Sequence, residues 1–217
     1  MIYYNFDDII QKNELLNSLF TNNEWWEDYY KYIDLQANLK SITTEIITNN
    51  YISKSALIEN NVTIKGPVII LDNCEIYSGS YIVGPALIGY DCKIGPNSFI
   101  NSNCIIGNHI KIGQCAEIKC SVIMDKSKLY SLSYIGHSII GKKVKIGSGV
   151  ITAISRFDDC SIKIRYKNIE LDSKQNKFGA IIGNETQIGI GVKILPGKVI
   201  KPKENIYPNS IINRDIL

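Results

Sequence analysis

Histidine is the side chain best suited to proton transfer at neutral pH, and this sequence of 217 residues contains only two histidines. His109 follows Gly107-Asn108 inside a regular six-residue repeat, where a solvent-facing turn residue is expected. His137 lies in Ile135-Gly136-His137-Ser138, where the same repeat changes phase. Its imidazole could act as a general base if it faces a cleft, and the alternative is a histidine on a surface turn. His137 is therefore the candidate catalytic residue.

Cationic side chains are concentrated in one stretch of the chain. Residues 119–177 contain 12 of the 24 lysines and arginines but only 5 of the 21 acids, a local net charge of +7 against −4 for the rest. The simplest explanation is a solvated basic face. The alternative is a binding site for phosphate groups. Nucleic acid is not expected as a partner, because the stretch has neither interleaved aromatic residues nor a recognition helix.

Six cysteines raise the question of disulfides or a metal site, but their spacing favours neither. No Cys-x-x-Cys pair occurs, and Cys74, Cys92 and Cys104 share one position of the repeat. We expect them to be buried, reduced and packed as small hydrophobic residues. Two histidines are also too few for a zinc site built from three histidines. No metal is expected.

The repeat itself is a run of isoleucines at every sixth position. It extends from Ile52 to Ile118 without a break and returns from Ile182 to Ile212. A period of six fits neither an α-helix nor an ordinary strand, so it indicates a repeat architecture. Glycine often follows the isoleucine, and a small residue lies four positions after it. This pattern resembles the hexapeptide repeat of left-handed parallel β-helices, in which three hexapeptides make one triangular coil.

The resemblance predicts a mainly β protein in which each isoleucine points into the coil and stacks about 4.8 Å from its equivalent in the next one. We expect this β-helix to occupy residues 51–217. Residues 1–50 have helical spacing instead, with two adjacent tryptophans, Trp25 and Trp26. They are interpreted as a helical cap that closes the open end of the β-helix. A module that docks on a partner protein is the alternative.

Function is expected where the repeat is interrupted, and two interruptions occur. The isoleucine phase slips within 125–138, which is interpreted as a polar loop excursion. A longer excursion covers 156–178, where Ser161 to Tyr166 alternates like a strand and Ile169 to Leu171 could pair back as a hairpin.

The interrupting segments are also where the chain resembles a specific enzyme family. The segments that carry the resemblance are 132–136, 139–141, 146–153, 156–158 and 176–183. Through them, residues 52–212 are similar to the C-terminal acetyltransferase half of bifunctional glucosamine-1-phosphate acetyltransferase/N-acetylglucosamine-1-phosphate uridyltransferase, and to related sugar-phosphate nucleotidyltransferases. Residues 1–50 do not resemble the nucleotidyltransferase half.

The resemblance implies a homotrimer that transfers an acetyl group from acetyl-coenzyme A, with each active site between neighbouring subunits. It assigns Lys119, Tyr134 and Lys177 to a sugar phosphate. Two ammonium groups and a phenol suit such a ligand physically. Ser148 and Gly149 align with the backbone that lies against the coenzyme.

Four positions depart from the family pattern. Ser131 stands where the family has its catalytic histidine, and His137 where that motif ends in aspartate. Lys145, beside the coenzyme-binding stretch, replaces an asparagine, and Asn101 replaces an arginine. A serine cannot serve as a general base at neutral pH, so His137 would have to supply that function. Related β-helix acyltransferases place a histidine in a similar segment before a coil.

Two functions from different classes are therefore predicted. The first is an acyl-coenzyme A-dependent transferase that acts on an amino or hydroxyl group of a sugar phosphate or nucleotide sugar. The second is a non-catalytic relative that binds a nucleotide sugar or docks on a partner. The start of the sequence resembles no signal peptide and no run of 18 apolar residues occurs, so a cytoplasmic protein without membrane association is expected.

Overall fold

The computed structural model describes residues 4–217. Short helices come first: α1 covers Phe6–Ile10, α2 covers Glu14–Thr21, a 3₁₀-helix covers Trp25–Asp28 and α3 covers Lys31–Ile46. Asn5 caps α1, since its side-chain oxygen accepts a hydrogen bond of 2.9 Å from the backbone N–H of Asp7. Within residues 4–217, no helix has the length and apolar character needed to cross a membrane.

From residue 51 onward the chain forms very short strands. They are β1 Tyr51–Ile52, β2 Leu57–Ile58, β3 Thr63–Lys65, β4 Val68–Ile70, β5 Glu75–Ile76, β6 Tyr81–Val83, β7 Ala86–Ile88, β8 Lys93–Ile94, β9 Phe99–Ile100, β10 Cys104–Ile106, β11 Lys111–Ile112, β12 Glu117–Lys119, β13 Val122–Ile123, β14 Lys128–Leu129, β15 Tyr134–Gly136, β16 Ile139–Ile140, β17 Lys145–Ile146, β18 Ile151–Thr152, β19 Lys163–Tyr166, β20 Ile169–Asp172, β21 Ala180–Ile182, β22 Gln187–Ile188, β23 Lys193–Ile194, β24 Lys198–Ile200, β25 Asn205–Ile206 and β26 Ile211–Ile212. Strands β19 and β20 pair antiparallel, and all the other pairs are parallel.

The parallel strands build three eight-stranded sheets in the described part of the chain. Sheet A has the order β1-β4-β7-β10-β13-β16-β21-β24, sheet B has β2-β5-β8-β11-β14-β17-β22-β25, and sheet C has β3-β6-β9-β12-β15-β18-β23-β26. The chain visits the sheets in rotation and so winds around a three-sided prism. The predicted fold class, a left-handed parallel β-helix with helices at the N-terminus, is confirmed.

The isoleucine repeat fills the interior of the prism. On sheet A, Ile70, Ile88 and Ile106 lie in register with one another and are 0% exposed. Cys74, Cys92 and Cys104 are also fully buried and unpaired, as predicted from their small inward position. Each isoleucine therefore packs on its counterparts in the coils above and below, and no coil has a complete core of its own.

Residues 125–138 belong to this regular β-helix, so the interpretation as a loop excursion was wrong. Strands β14 and β15 pair with the coils on either side of them. Ile106 pairs with Ile88 at a spacing of 18 residues but with Ile123 at a spacing of 17, because the corner that follows β12 is one residue shorter. The corner that follows β15 is shortened in the same way. A phase slip of one residue in this repeat thus indicates a tight corner.

The second interruption does leave the β-helix. Between β18 and β21 the chain forms a hairpin of β19 and β20, in which Lys163 pairs with Asp172 and Tyr166 with Ile169. The hairpin predicted from the alternating residues is therefore present. It is joined to the 3₁₀-helix, since the Tyr166 hydroxyl donates to the Glu27 carbonyl at 2.9 Å.

The helices lie along one side of the prism, and the prediction that they close its end was wrong. The reason is the outward face of sheet A, which is apolar and 0–1% exposed beneath the helices and the hairpin. Its residues are Ile69, Leu87, Ile105, Val122, Ile139, Ile181 and Val199. Ile52 and Leu57, in the first coil, are 43% and 56% exposed. Covering a long apolar face removes more apolar surface from water than covering one end.

Truncating one inward isoleucine is predicted to destabilise the protein substantially. Ile106→Ala removes a fully buried side chain and leaves a cavity between stacked coils, so the free energy of unfolding should fall by about 2–5 kcal/mol. Chemical denaturation measures this loss. Ile169→Ala, on the 60% exposed hairpin residue, is the matched control and should change stability by about 0.5 kcal/mol or less. Equal losses in the two variants would contradict the stacked core.

Candidate active site

Three of the predicted site residues lie together at one edge of the prism. Lys119, His137 and Lys177 line a common cavity of about 240 Å³. The cavity lies where sheet C turns into sheet A, at residues 101–103, 119–121 and 136–138, which we call corner CA. Its other lining residues are Gln36, Ala37, Lys40, Ser102, Asn103, Cys120 and Gln175. Helix α3, corner CA and the segment after the hairpin therefore each contribute a wall.

The shortened corners hold His137 and Lys119 close to one another along the prism. His137 and Cys120 adopt left-handed backbone angles, with φ of 47° and 45°. The backbone N–H of His137 donates to the Lys119 carbonyl at 2.9 Å, and that of Cys120 donates to the Ser102 carbonyl at 3.1 Å. Non-glycine residues in this region are uncommon and favour tight turns. Successive coils thus place a lysine and a histidine at the same edge.

Lys177 is brought to this edge by a close passage of the chain. The backbone N–H of Gly179 donates to the His137 carbonyl at 2.8 Å. A Cβ atom at Gly179 would lie 2.1 Å from the Gly136 carbonyl oxygen and 2.2 Å from Ser138 Oγ, so only glycine fits there. The following strand, β21, then rejoins sheet A. The segment 176–179 therefore fixes Lys177 over the corner.

Helix α3 closes the cavity and supplies residues that the sequence analysis missed. Gln36 Nε2 donates to the Cys120 carbonyl at 2.8 Å, and Thr43 Oγ1 donates to Asn103 Oδ1 at 3.0 Å. Gln36 is only 4% exposed. The signal in the sequence was weak but present: a glutamine on the apolar face of a helix, next to Leu35, normally has a polar partner.

The electrostatics of the cavity keep the His137 imidazole neutral. Burial, together with the charges of Lys119 and Lys177, lowers the pKa of His137 to about 4. Its Nε2 atom is buried and has no hydrogen-bond partner. A neutral imidazole can accept a proton, whereas an imidazolium cannot. The expected surface-turn alternative for His137 therefore fits poorly, in contrast to His109, which is exposed and lies 3.5 Å from Asp91.

Tyr134 lies next to this corner on the outer face of sheet C. Its hydroxyl oxygen is so close to Gly136 that a Cβ atom there would be 2.7 Å away from it. Burial and the nearby Glu117 carboxylate raise the pKa of Tyr134, so the phenol keeps its proton and can donate it in a hydrogen bond. Tyr134 is not among the residues that line the cavity.

The remaining predicted residues lie at a different edge, where sheet B turns into sheet C. We call the residues 130–133 and 147–150 corner BC. Ser131 is here, and its carbonyl accepts a hydrogen bond of 3.0 Å from the N–H of Gly149, whose φ is +69°. Ser148 is adjacent and partly exposed. The structure therefore brings Ser131 together with Ser148 and Gly149, and does not bring it to His137.

Lys145 extends from the outer face of sheet B, close to corner BC. It is in register with Lys128, which is in register with Lys111, which in turn is in register with Lys93. Lys93 forms an ion pair of 2.6 Å with Glu75. Strand spacing places these four ammonium-bearing side chains about 4.8 Å apart in a row. Of the basic stretch 119–177, Lys128 and Lys145 thus belong to this lysine row, and Lys119 and Lys177 to corner CA.

Comparison with known proteins finds curated relatives that match most of this chain. The family model described as the GMPPB C-terminal domain matches residues 82–162. A bifunctional sugar-1-phosphate nucleotidylyltransferase/acetyltransferase from Sulfurisphaera tokodaii is 40% identical over 88% of this chain and 48% of its own length. A protein named bifunctional protein GlmU from Methanococcus maripaludis is 45% identical over 94% of this chain and 48% of its own length. A solved UDP-N-acetylglucosamine acyltransferase from Campylobacter jejuni is 15% identical, with a TM-score of 0.37 over 77% of this chain and 69% of that chain.

The fold and the repeat define this chain as a hexapeptide-repeat protein of the left-handed β-helix class. Within that class, the predicted resemblance to bifunctional sugar-1-phosphate nucleotidylyltransferase/acetyltransferases is confirmed by the relatives named above. The chain spans about half the length of the curated relatives that it matches, 46–48% in the examples from Sulfurisphaera and Methanococcus.

The low pKa of His137 gives a direct spectroscopic prediction. In an NMR titration, the His137 ring protons should shift near pH 4, far below the ordinary value of about 6.5. Lys119→Gln should raise this midpoint, because removing a nearby cation makes protonation of the imidazole less costly. Lys111→Gln, which changes a lysine of the sheet B row, is the control and should leave it unchanged. A wild-type midpoint near 6.5 would contradict the described cavity.

Proposed function

We propose that this protein transfers an acyl group, most simply acetyl, from acyl-coenzyme A to an amino or hydroxyl group of a sugar phosphate. The observation that carries the proposal is the cavity at corner CA, in which a neutral imidazole lies with two lysines. The name of the Sulfurisphaera relative, bifunctional sugar-1-phosphate nucleotidylyltransferase/acetyltransferase, supports the same choice.

The chemistry assigned to the cavity is general-base catalysis of acyl transfer. The sugar amine or hydroxyl attacks the thioester carbonyl, a bond from nitrogen or oxygen to carbon forms, and His137 takes the proton. The carbon–sulfur bond then breaks, and the coenzyme A thiolate leaves and takes up a proton. Backbone N–H groups stabilise the oxyanion. The products are an acylated sugar phosphate and coenzyme A.

Lys119 and Lys177 have two consequences for this reaction. As compact cations they bind the phosphate of the acceptor. The bound phosphate also offsets their charges, which removes two of the causes that lower the pKa of His137. Binding of the acceptor therefore makes His137 a stronger base at the moment when the base is needed.

The size of the cavity favours a sugar monophosphate over a nucleotide sugar. Its volume of about 240 Å³ is below the roughly 300–1,000 Å³ of pockets that enclose drug-sized ligands. A sugar ring and one phosphate are suited to this space, whereas a nucleotide would have to extend outside it. The nucleotide sugar stays the second choice of acceptor.

We assign the acyl donor to corner BC. The Ser148-Gly149 turn presents little side-chain bulk, so a ligand can approach its backbone closely. Lys145 is exposed beside it, and Lys128 and Lys111 continue the row of cations along sheet B. Coenzyme A carries several phosphate groups, which such a row attracts.

The proposed acceptor site at corner CA and the proposed donor site at corner BC lie at opposite sides of sheet C. This supports an active site that is shared between subunits. Ser131 and His137 are six residues apart along extended chain, which corresponds to about 20 Å. A donor bound at corner BC and an acceptor bound at corner CA of the same subunit are therefore separated by the width of sheet C. A second copy packed on sheet C would set corner BC of one subunit against corner CA of the other.

Sheet C is also the face that is suited to such packing. Helices cover sheet A, and lysines line sheet B. Five of the eight outward-facing residues of sheet C are aromatic or aliphatic and at least partly exposed: Tyr81, Phe99, Tyr134, Ile151 and Ile211. The other three are Thr63, Glu117 and Lys193. A closed ring of three subunits, as the resemblance implies, would pair each corner BC with a corner CA.

A non-catalytic relative that only holds a ligand is the second candidate. The observation in its favour is Ser131, because the family that this sequence resembles has its catalytic histidine at that position. Both candidates fit a cytoplasmic location, since the six cysteines of the described chain are all unpaired.

The proposed activity is tested by thiol release from acetyl-coenzyme A, with amino-sugar phosphates and nucleotide-linked amino sugars as acceptors. Release above the rate without protein is expected for a sugar monophosphate. His137→Ala should lower the turnover number about 10²- to 10⁴-fold, because a general base contributes that much. His109→Ala, on the exposed histidine, should leave it unchanged. Calorimetric binding without thiol release would instead favour the ligand-holding relative.

Sharing of the site between subunits is tested by mixing two inactive variants. His137→Ala removes the base, and Gly149→Val places a side chain on the coenzyme-binding turn. Randomly mixed trimers should regain about one quarter of the wild-type rate, because one interface in four joins an intact His137 to an intact Gly149. Each variant alone stays inactive. If the mixed trimers are as inactive as the separate variants, the donor and acceptor sites do not come from different subunits.

A further inference from the structure

One buried polar group at corner CA has no role in the reaction described above. Gln36 of helix α3 is 4% exposed, and its Nε2 atom is held by the Cys120 carbonyl at 2.8 Å. Its Oε1 atom is buried and has no hydrogen-bond partner. Gln36 lines the same cavity as His137, whose Nε2 atom also lacks a partner. Two residues that line one cavity therefore each have a buried polar atom without a hydrogen-bond partner.

The hydrogen bond to the Cys120 carbonyl fixes the orientation of the Gln36 side-chain amide. Because Nε2 is used by the backbone of the shortened corner, the amide cannot turn over without losing that bond. Oε1 is thus the group left for a ligand, and a carbonyl oxygen only accepts hydrogen bonds. A buried acceptor without a partner destabilises the folded protein, and such groups are expected where a ligand later satisfies them.

The ligand that satisfies this arrangement needs two features. It carries an anionic group for Lys119 and Lys177, and it carries an N–H or O–H donor for Gln36. Inorganic sulfate satisfies only the first requirement, because it is fully deprotonated at neutral pH and has no N–H or O–H group to donate. An amino-sugar phosphate satisfies both, because its amine and its hydroxyls are donors attached to a phosphorylated ring.

We propose that Gln36 is a specificity-determining residue, which accepts a hydrogen bond from the amine or a hydroxyl of the acceptor sugar and rejects ligands without that donor. This rests on the proposed function for the identity of the acceptor. A site that hydrogen-bonds a substrate group discriminates strongly against analogues that lack the group, since the protein atom then stays unpaired. The N-terminal helices are in this way part of the acceptor site as well as the cover of sheet A.

The neighbouring lysine of α3 is consistent with this role. Lys40 is one helical turn beyond Gln36 and lines the same cavity from its exposed rim. The helix therefore presents an acceptor oxygen inside the cavity and a cation at its entrance. Asn38, which lies between them in sequence, is exposed and donates to the Asp34 carbonyl of its own helix.

The test compares two probes on the 217-residue chain by calorimetry, glucosamine 1-phosphate and inorganic sulfate. Gln36→Met keeps the length of the side chain and removes the amide. It should weaken binding of glucosamine 1-phosphate about tenfold and leave binding of inorganic sulfate unchanged. Asn38→Met is the matched control and should alter neither. Gln36→Asn keeps the amide but shortens it, and should show the same selective loss if the methionine variant does not fold.

The possible outcomes separate this proposal from the proposed function. Equal weakening for both probes would mean that Gln36 only supports the fold of the corner, and the proposal would be overturned. No weakening for either probe, or no binding of glucosamine 1-phosphate to the wild type, would also overturn it. A selective loss without thiol release from acetyl-coenzyme A would uphold the role of Gln36 while rejecting the transferase. With turnover, the KM for the acceptor should rise in Gln36→Met and that for acetyl-coenzyme A should not.

Discussion

The stacking of inward isoleucines between parallel coils is the interaction on which the rest of the structure depends. Ile70, Ile88 and Ile106 have no exposed surface, and each one is buried mainly by its own equivalents. Such a core requires every coil to present the same residue at the same place. The chain can therefore vary only at its outward positions and at its corners, and the candidate functional groups are found at both.

The outward positions give each face of the prism a separate role. The alternation of the strands sends one residue of each pair inward, so the outward column is free to differ between sheets. On sheet A it is apolar and supports the helices, on sheet B it is rich in lysine, and on sheet C it is mostly aromatic or aliphatic and partly exposed. The proposed acceptor and donor sites lie on the two corners that border sheet C, and a neighbouring subunit on that face would join them.

Much of this architecture could be predicted from the sequence, because a strict period leaves little freedom. The fold class, the buried cysteines and the hairpin at 163–172 all follow from spacing and residue type. The placement of the helices could not be predicted from the isoleucine period. It depends on which sheet has apolar outward-facing residues, and the period marks only the inward-facing ones. The phase slip near His137 was visible, but its cause was not. A deletion of one residue at a corner and a loop excursion look alike in a repeat pattern.

The candidate site was predictable to the extent that its residues lie within the motifs. Lys119, His137 and Lys177 come from three separate segments, and the resemblance carried Lys119 and Lys177 to one ligand before any geometry was available. Gln36 was missed because it lies in a helix outside those motifs, about 84 residues from the corner that it contacts. Ser131 and His137 are near in sequence yet occupy different corners, since a single extended strand separates them.

The helices along sheet A also change how this molecule can come apart. In a bare solenoid each coil touches only its neighbours, so the terminal coils can fray while the middle stays folded. Here one apolar cluster joins the helices to Ile69 near one end and to Val199 near the other. The N-terminal helices therefore connect coils near both ends of the β-helix through one apolar cluster. Losing an end coil would therefore disturb the docking of the helices, and unfolding should be a single cooperative event instead of a gradual unzipping.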